Sequence, residues 1–173
     1  MRKGVYTFML LITWAISALA QVQYVNPIIG TDGMGHTFPG ACVPFGIVQL
    51  SPDTDTIPHN LEGVYQKKVY EYCAGYRYND PTIVGFSHTH FNGTGHSDLG
   101  DILVMPTTGE LKLNPGTSDH PENGYRSRFS HDTEKSVPGF YEVMLDDYGI
   151  KGSLLPYNVM LFPLPFWGSQ PHH

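Results

Sequence analysis

The segment from Gly85 to Asp101, GFSHTHFNGTGHSDLGD, concentrates side chains that can do chemistry. Three histidines and two aspartates lie within it, between runs that are typical of buried β-strands. Imidazole groups can ligate a metal, move a proton or hydrogen-bond a substrate, and carboxylates can do the same or hold a tight turn. The segment therefore admits three interpretations, which are a metal site, a substrate site and a structural loop.

A metal site is favoured by the His-x-His spacing of His88 and His90. If the preceding strand continues through them, its two-residue period places both imidazoles on one face. Zinc would then need further ligands, which His96, Asp98 or Asp101 could supply. No known zinc spacing completes the set, and the aspartates do not form the ladder of a calcium-binding EF-hand loop. A histidine-based metalloenzyme stays one alternative.

The same segment is also typical of a rigid loop. Gly93, Gly95 and Gly100 permit turns with positive φ, and short carboxylates such as Asp98 and Asp101 commonly accept hydrogen bonds from loop N–H groups. We expect this structural role for both aspartates. A loop of this kind does not require three histidines beside a strand end, so the histidines keep a functional interpretation.

A second glycine-rich segment, NPIIGTDGMGHTFPGACVPFG, runs from Asn26 to Gly46. It carries Asp32 and His36 as polar groups and Phe38 and Phe45 as apolar ones. It has no Gly-Lys-Ser/Thr sequence and no following helical pattern, so it is not a phosphate-binding loop. Polar groups between aromatic walls suit sugar hydroxyls, although a rigid, proline-rich lead-in to a strand would have the same composition.

Short alternating strands are the elements that must position these segments. The clearest lies in GFYEVMLDDYGI, where Tyr141, Val143 and Leu145 share one face. Residues 125–131 alternate in the same way, and Pro138-Gly139 marks a turn, so we predict that these two runs form an antiparallel hairpin with a long loop. Further strands are predicted at residues 46–52, 82–88 and 101–107. Short strands separated by Gly, Pro and Asn loops predict an all-β fold, specifically a β-sandwich.

Residues 1–20 have the three parts of a secretory signal peptide. Arg2 and Lys3 precede an apolar run that ends in Ala18-x-Ala20, and the sequence turns polar directly afterwards. We expect cleavage after Ala20 and export to the periplasm, the outer surface or the medium. An uncleaved membrane anchor is the alternative.

The expected mature chain is acidic. Removing Arg2 and Lys3 from the 10 basic residues leaves 8 against 16 acidic ones, a formal charge of −8. Such a chain, without a basic run, is a poor candidate for binding nucleic acid, and we expect no membrane association after signal cleavage. Neutral substrates such as sugars suit it better. Cys42 and Cys73 are too few for a disulfide framework, and either one bridge or two buried thiols fits the sequence.

The C-terminal residues 155–173 break the strand pattern. They form an apolar run interrupted by prolines, and an exposed segment of this composition is prone to aggregation. We therefore divide the chain into a signal peptide (1–20), a β-sandwich domain (21–154) and an irregular, aberrant or truncated tail (155–173). A natural tail that folds back on the sandwich is the alternative.

Four segments in order resemble the N-terminal domain of glycoside hydrolase family 92, whose members are exo-acting α-mannosidases. They are VNPIIGTDGMGHTFPGACVPFGIVQLSPDT, GYRYND, IVGFSHTHFNGTGHSDLGDILVMPT and PGFYEVMLDDYGIK. The resemblance runs from about Tyr24 to Lys151. It implies a β-sandwich followed by a larger (α/α)6 barrel, an active site between the two, calcium dependence, and inversion of the anomeric configuration by a general acid and a general base.

The resemblance also implies that the catalytic carboxylates and the calcium ligands belong to the barrel, which this sequence lacks. We therefore expect a fragment that is inactive alone, has the (α/α)6 domain as its partner, and forms one wall of a pocket for a mannose-containing glycan. The segments that match this wall contain the candidate substrate-binding residues His36, Phe38, His88, His90, Thr94, Gly95 and His96. A stand-alone carbohydrate-binding module, which would bind mannosides without turnover, is the second alternative.

Overall fold

A computed structural model describes residues 21–42, 48–55, 57–93 and 100–155. Short strands dominate these residues, and the helical content is a two-residue stretch at 21–22 and two 3-10 helices, Lys67–Tyr72 and Pro121–Asn123. The strands are β1 (Ser51–Asp53), β2 (Asn60–Leu61), β3 (Val64–Tyr65), β4 (Thr82–Ile83), β5 (Gly85–Ser87), β6 (Ser127–Arg128), β7 (Lys135–Val137), β8 (Phe140–Leu145) and β9 (Ile150–Leu154). This composition confirms the predicted all-β class.

The strands pair antiparallel in four small sheets, ordered β1-β5, β2-β3, β4-β6 and β7-β8-β9. Three of these sheets pack against one another through a common hydrophobic core. The core comprises Ala41, Leu50, Ile83, Phe86, Tyr141, Val143, Leu145 and Leu154. Side chains from β4 and β5 therefore meet side chains from β8 and β9 across one apolar layer, as in a sandwich.

The alternation predicted for β8 is confirmed. Tyr141, Val143 and Leu145 are fully buried, while the residues between them are half-buried. Burying an aliphatic side chain of this size stabilises the fold by about 1.5–3 kcal/mol. β9 pairs along the whole of this strand, from Tyr141 opposite Leu154 to Leu145 opposite Ile150.

The predicted hairpin partner of β8 is wrong, although the predicted turn is present. Pro138-Gly139 joins β8 to β7, with Val137 opposite Phe140, and not to residues 125–131. A two-residue turn pairs the residues that flank it directly, so the segment just before Pro138 takes that position. From the run at 125–131 only β6 forms a strand, and it pairs with β4.

The strand predicted at 82–88 is divided between two sheets. Val84 lies between β4 and β5, and its N–H donates to the Asp53 carbonyl, 2.8 Å away. β5 then pairs with β1, so that Ser87 lies opposite Ser51 and Gly85 opposite Asp53. The run predicted at 101–107 contributes a single bridge, between Val104 and Phe86.

Of the two alternatives for the cysteines, the structure has the one without a bridge, since no disulfide joins Cys42 and Cys73. In the described residues no helix is long and apolar enough to cross a membrane. The predicted signal peptide lies outside these residues, as does the predicted tail beyond Leu155.

Candidate functional site

The two glycine-rich segments meet in the folded chain. The Gly93 N–H donates to the His36 carbonyl at 2.7 Å, and the Phe38 N–H donates to Asn92 Oδ1 at 3.2 Å. The ring of Phe38 lies 5.2 Å from that of His90. Three of the predicted residues, His36, Phe38 and His90, are therefore gathered in one place by contacts between distant parts of the chain.

His90 is buried and held on both sides of its ring. Its Nδ1 lies 2.7 Å from the Gln49 carbonyl oxygen. Its Nε2 lies 3.1 Å from Asp53 Oδ1 and 3.0 Å from Ser87 Oγ. Both nitrogens thus lie within hydrogen-bond distance of oxygen atoms, which fixes the orientation of the ring. His90 and Asp53 form a buried, hydrogen-bonded pair.

Asp53 ends β1 and is only 6% exposed. Its Oδ1 binds His90, while its Oδ2 is buried and has no hydrogen-bond partner among the described residues. Gly75 packs directly against the pair. A Cβ at that position would overlap Asp53 Oδ1 and lie 2.9 Å from His90 Cδ2, and Gly75 also has a φ of +79°. Only glycine fits this approach without strain.

His36 forms a second polar contact beside the first. Its Nδ1 lies 3.0 Å from Cys73 Sγ, and its ring meets Tyr70 edge-on at 4.8 Å. His36 Nε2 is buried without a partner in the described part of the chain. The backbone at His36 is left-handed, with φ at 49°, which is uncommon for a residue with a side chain and marks a locally constrained loop.

A cleft of about 200 Å³ opens on these groups. Its lining includes Asp53, Tyr72, Cys73, Gly75 and His90. Burial and the charge of Asp80 raise the pKa of Tyr72 to about 12. The Tyr72 hydroxyl therefore stays protonated at neutral pH, and the floor of the cleft combines hydrogen-bond donors and acceptors in a dry setting.

His88 has different partners from His90, and β5 ends at Ser87, before both histidines. Its Nδ1 lies 2.9 Å from the Ile102 carbonyl oxygen, and the ring is only partly buried. Alternation along a strand therefore does not govern the two imidazoles, contrary to the expectation of a shared face. With Nδ1–H donated to a carbonyl, Nε2 of a neutral His88 can accept a hydrogen bond.

Among the described residues, Asp101 holds its loop through main-chain groups. The carboxylate makes no hydrogen bond with them, whereas the sequence predicted that it would accept from loop N–H groups. Its N–H donates to Thr89 Oγ1 at 3.0 Å, and its carbonyl accepts from the His88 N–H at 3.2 Å. Thr89 Oγ1 also accepts from Gly100. The remaining predicted residues, Thr94, Gly95, His96 and Asp98, lie outside the described residues.

Several residues of the site carry no sequence signal that would have selected them. Asp53 follows an apolar run, which places a carboxylate at a strand end, but nothing relates it to His90, 37 positions later. Gln49 acts through its backbone carbonyl, and Cys73 and Gly75 were not among the predicted site residues. Only the tertiary fold brings these four residues to the cleft.

The described residues do not fit a bound metal. No group of three or more His, Cys, Asp or Glu side chains is arranged among them to hold an ion. Calcium takes six to eight oxygen ligands, whereas the two carboxylates lining the cleft are each committed to a neighbouring side chain. Asp53 pairs with His90 at 3.1 Å and Asp55 with Arg126 at 3.0 Å.

Comparison with known proteins identifies the domain. A model of the glycosyl hydrolase family 92 N-terminal domain matches residues 24–156. The chain belongs to this family.

Solved structures of family 92 enzymes share the fold. The α-mannosidase BT3965 from Bacteroides thetaiotaomicron, in complex with mannoimidazole, is 50% identical with a TM-score of 0.69, over 78% of this chain and 16% of that chain. The inverting mannosidase BT2199 from Bacteroides thetaiotaomicron VPI-5482 is 27% identical with a TM-score of 0.51, over the same shares of the two chains. These matches confirm the family resemblance of the four segments.

The chain is also similar to a protein from Arthroderma benhamiae. An uncharacterized secreted glycosidase of Arthroderma benhamiae is 26% identical over 128 residues, which are 73% of this chain and 15% of that protein. The family 92 chain therefore spans about one sixth of the length of these relatives.

Proposed function

We propose that the chain is the pocket-forming N-terminal domain of an exported, calcium-dependent, inverting exo-α-mannosidase that acts on mannose-containing glycans. The observation that carries this proposal is the cleft over the His90–Asp53 pair. It has a buried polar floor but a volume of only about 200 Å³, below the roughly 300–1,000 Å³ of pockets that enclose a ligand. Such a cleft suits one wall of a larger site that a second domain completes.

The residues of this wall would bind the sugar and not transfer protons. Inversion needs a free general acid and a free general base on opposite sides of the bond that is cut. Asp53 and Asp55 are bound to His90 and Arg126, so neither carboxylate is assigned those roles. We place the catalytic pair and the calcium ligands in an (α/α)6 domain, the partner that the family resemblance implies.

The proposed sugar contacts come from both glycine-rich segments. His36 and Phe38 are buried in this structure, so their proposed contacts with the sugar require the glycine-rich loop that carries them to rearrange when the second domain docks. His88 would accept a hydroxyl hydrogen bond at Nε2. Thr94, Gly95 and His96 stay predicted members of the same wall.

The chain alone is expected to release no mannose. A wall without a general acid and base cannot protonate the leaving oxygen or activate water, and each of these contributes about 10²–10⁴-fold to the rate. The measurement is hydrolysis of an aryl α-mannoside by the purified full chain, beside a full-length family 92 enzyme. Mannose released by the chain unaided would contradict the proposal.

Calorimetric titration of the same sample separates the wall from a stand-alone carbohydrate-binding module. A half-pocket is expected to bind α-mannobiose more weakly than about 1 mM, which corresponds to about −4.1 kcal/mol. A module adapted to bind sugar on its own would bind more tightly. Stoichiometric zinc in the purified chain would instead favour the metalloenzyme.

Replacing the residue that matches His88 with alanine in a full-length relative is expected to lower kcat/KM by about 10–100-fold, since one hydrogen bond to the substrate is lost. The partly buried position of His88 predicts unchanged stability. The matched control is alanine at the position of His120, which is exposed and remote in sequence from both glycine-rich segments. Wild-type rates in the first variant would remove His88 from the wall.

A further inference from the structure

A shallow crevice of about 490 Å³ lies between the segment at residues 78–81 and the segment at residues 129–132. It is distinct from the cleft, and its volume falls within the range of pockets that bind small molecules. The cleft and the crevice are nevertheless adjacent. Tyr72, which lines the cleft, donates its hydroxyl hydrogen to Asp80, which lines the crevice, at 3.3 Å.

Aromatic rings that cannot rotate form one side of the crevice. The rings of Tyr78 and His131 are stacked, 3.9 Å apart and only 5° from parallel. Phe129 meets His131 edge-on at 5.3 Å. His131 is fixed at both nitrogens, by Glu134 at 2.6 Å and by the Tyr78 carbonyl at 2.8 Å.

The fixed ring is nevertheless accessible. The His131 side chain is 35% exposed, while Glu134, which holds it, is only 4% exposed. A buried carboxylate, a backbone carbonyl and a stacked tyrosine hold this imidazole in one orientation. The crevice is thus preorganised, which lowers the entropy cost of binding.

Polar groups surround these rings. Asn79 and Asp132 line the crevice and are exposed. The Asp132 carboxylate makes no hydrogen bond with the described residues, whereas that of Asp80 is committed to Thr54 and Tyr72. No lysine or arginine is among the described residues that line the crevice, so its charge disfavours an anionic ligand.

We propose that this crevice is a second binding site, taking one neutral pyranose with its C–H face against the stacked rings and its hydroxyls toward Asn79 and Asp132. Aromatic surface combined with a few fixed polar groups is the composition that a small polar ligand with one apolar face requires. The inference goes beyond the proposed function, which concerns the cleft. It would let the domain hold a sugar of the same glycan beside the residue in the cleft.

The test is an NMR titration in which methyl α-mannoside is added to the 15N-labelled full chain and the amide chemical shifts are monitored. We expect saturable shifts at the amides of residues 78–80 and 129–132, with a dissociation constant in the range of millimolar. Glucuronate, which carries a carboxylate, should shift these amides less. Shifts confined to Gly75 and His90 would support the cleft and overturn the crevice, and no shifts at about 50 mM sugar would also overturn it.

Asp132→Asn is the discriminating variant, because it removes a charged acceptor at an exposed position with no structural contact. We expect binding at the crevice to weaken about tenfold. Asp119→Asn is the matched control, since Asp119 is equally exposed and does not line the crevice. Equal affinity in the two variants would overturn the assignment.

Discussion

Glu134→Ala is expected to lower the free energy of unfolding by about 3–5 kcal/mol, the range measured when one partner of a buried charge network is removed. The Glu134 side chain is 4% exposed. It accepts hydrogen bonds from the Tyr141 hydroxyl at 2.6 Å and the Tyr76 hydroxyl at 2.8 Å. In addition, His131 Nδ1 lies 2.6 Å from Glu134 Oε2.

The cost is large because every partner of Glu134 is itself buried or fixed. Burial and the Glu134 charge raise the pKa of both tyrosines well above the ordinary value, so Tyr76 and Tyr141 stay protonated and need an acceptor. Alanine would leave two phenol hydroxyls unsatisfied, at about 1–3 kcal/mol each. A domain stability of about 5–15 kcal/mol cannot easily absorb this loss.

The measurement is denaturant unfolding followed by circular dichroism. Glu110→Ala is the control, since Glu110 is exposed and its side chain makes no hydrogen bond or ion pair with the described residues, and its midpoint should not change. Glu134→Gln should fall between the two, because an amide keeps one acceptor. Equal midpoints for Glu134→Ala and Glu110→Ala would show that the cluster does not stabilise the fold.

Asp53→Ala is expected to lower the free energy of unfolding by about 1–3 kcal/mol, because the buried His90 loses a hydrogen-bond partner. The two side chains are 8% and 2% exposed, so water cannot replace the lost partner. In a full-length relative, the matching change should also lower mannoside turnover, since the floor of the proposed pocket would lose its orientation.

A double-mutant cycle separates the pair from the general effect of mutating the core. Asp53→Asn and His90→Gln are measured singly and together by urea unfolding. We expect the double variant to lose less stability than the sum of the single ones, with a coupling above the roughly 0.3–0.5 kcal/mol that independent sites show. Strict additivity would indicate that His90 and Asp53 do not interact in solution.

Local patterns predicted local structure well. The alternation in residues 140–145 identified the buried face of β8, and Pro138-Gly139 identified the turn before it, because side-chain period and turn chemistry are properties of neighbouring residues. The partner strand was misassigned because residues 125–131 alternate as convincingly as a hairpin strand, yet only Ser127–Arg128 pair, and with β4.

The candidate site was predicted in part. The two glycine-rich segments are unusual enough in composition to be singled out, and His36, Phe38 and His90 do come together. The roles within the site follow from distant contacts, such as Asp53 with His90 and Cys73 with His36, which no short window contains. His88 was grouped with His90 by strand periodicity, and the end of β5 at Ser87 removes the basis for that grouping.

The meander β7-β8-β9 has a kinetic consequence. Its strands are joined by short turns, and closing short loops takes microseconds or less. The contacts that shape the cleft and its surroundings span far more chain, since Asp53 and His90 are 37 positions apart and Asp55 and Arg126 are 71 positions apart. The entropy cost of closing a loop grows with that separation. We therefore expect folding to begin in the β7-β8-β9 meander and the residues around the cleft to come together afterwards.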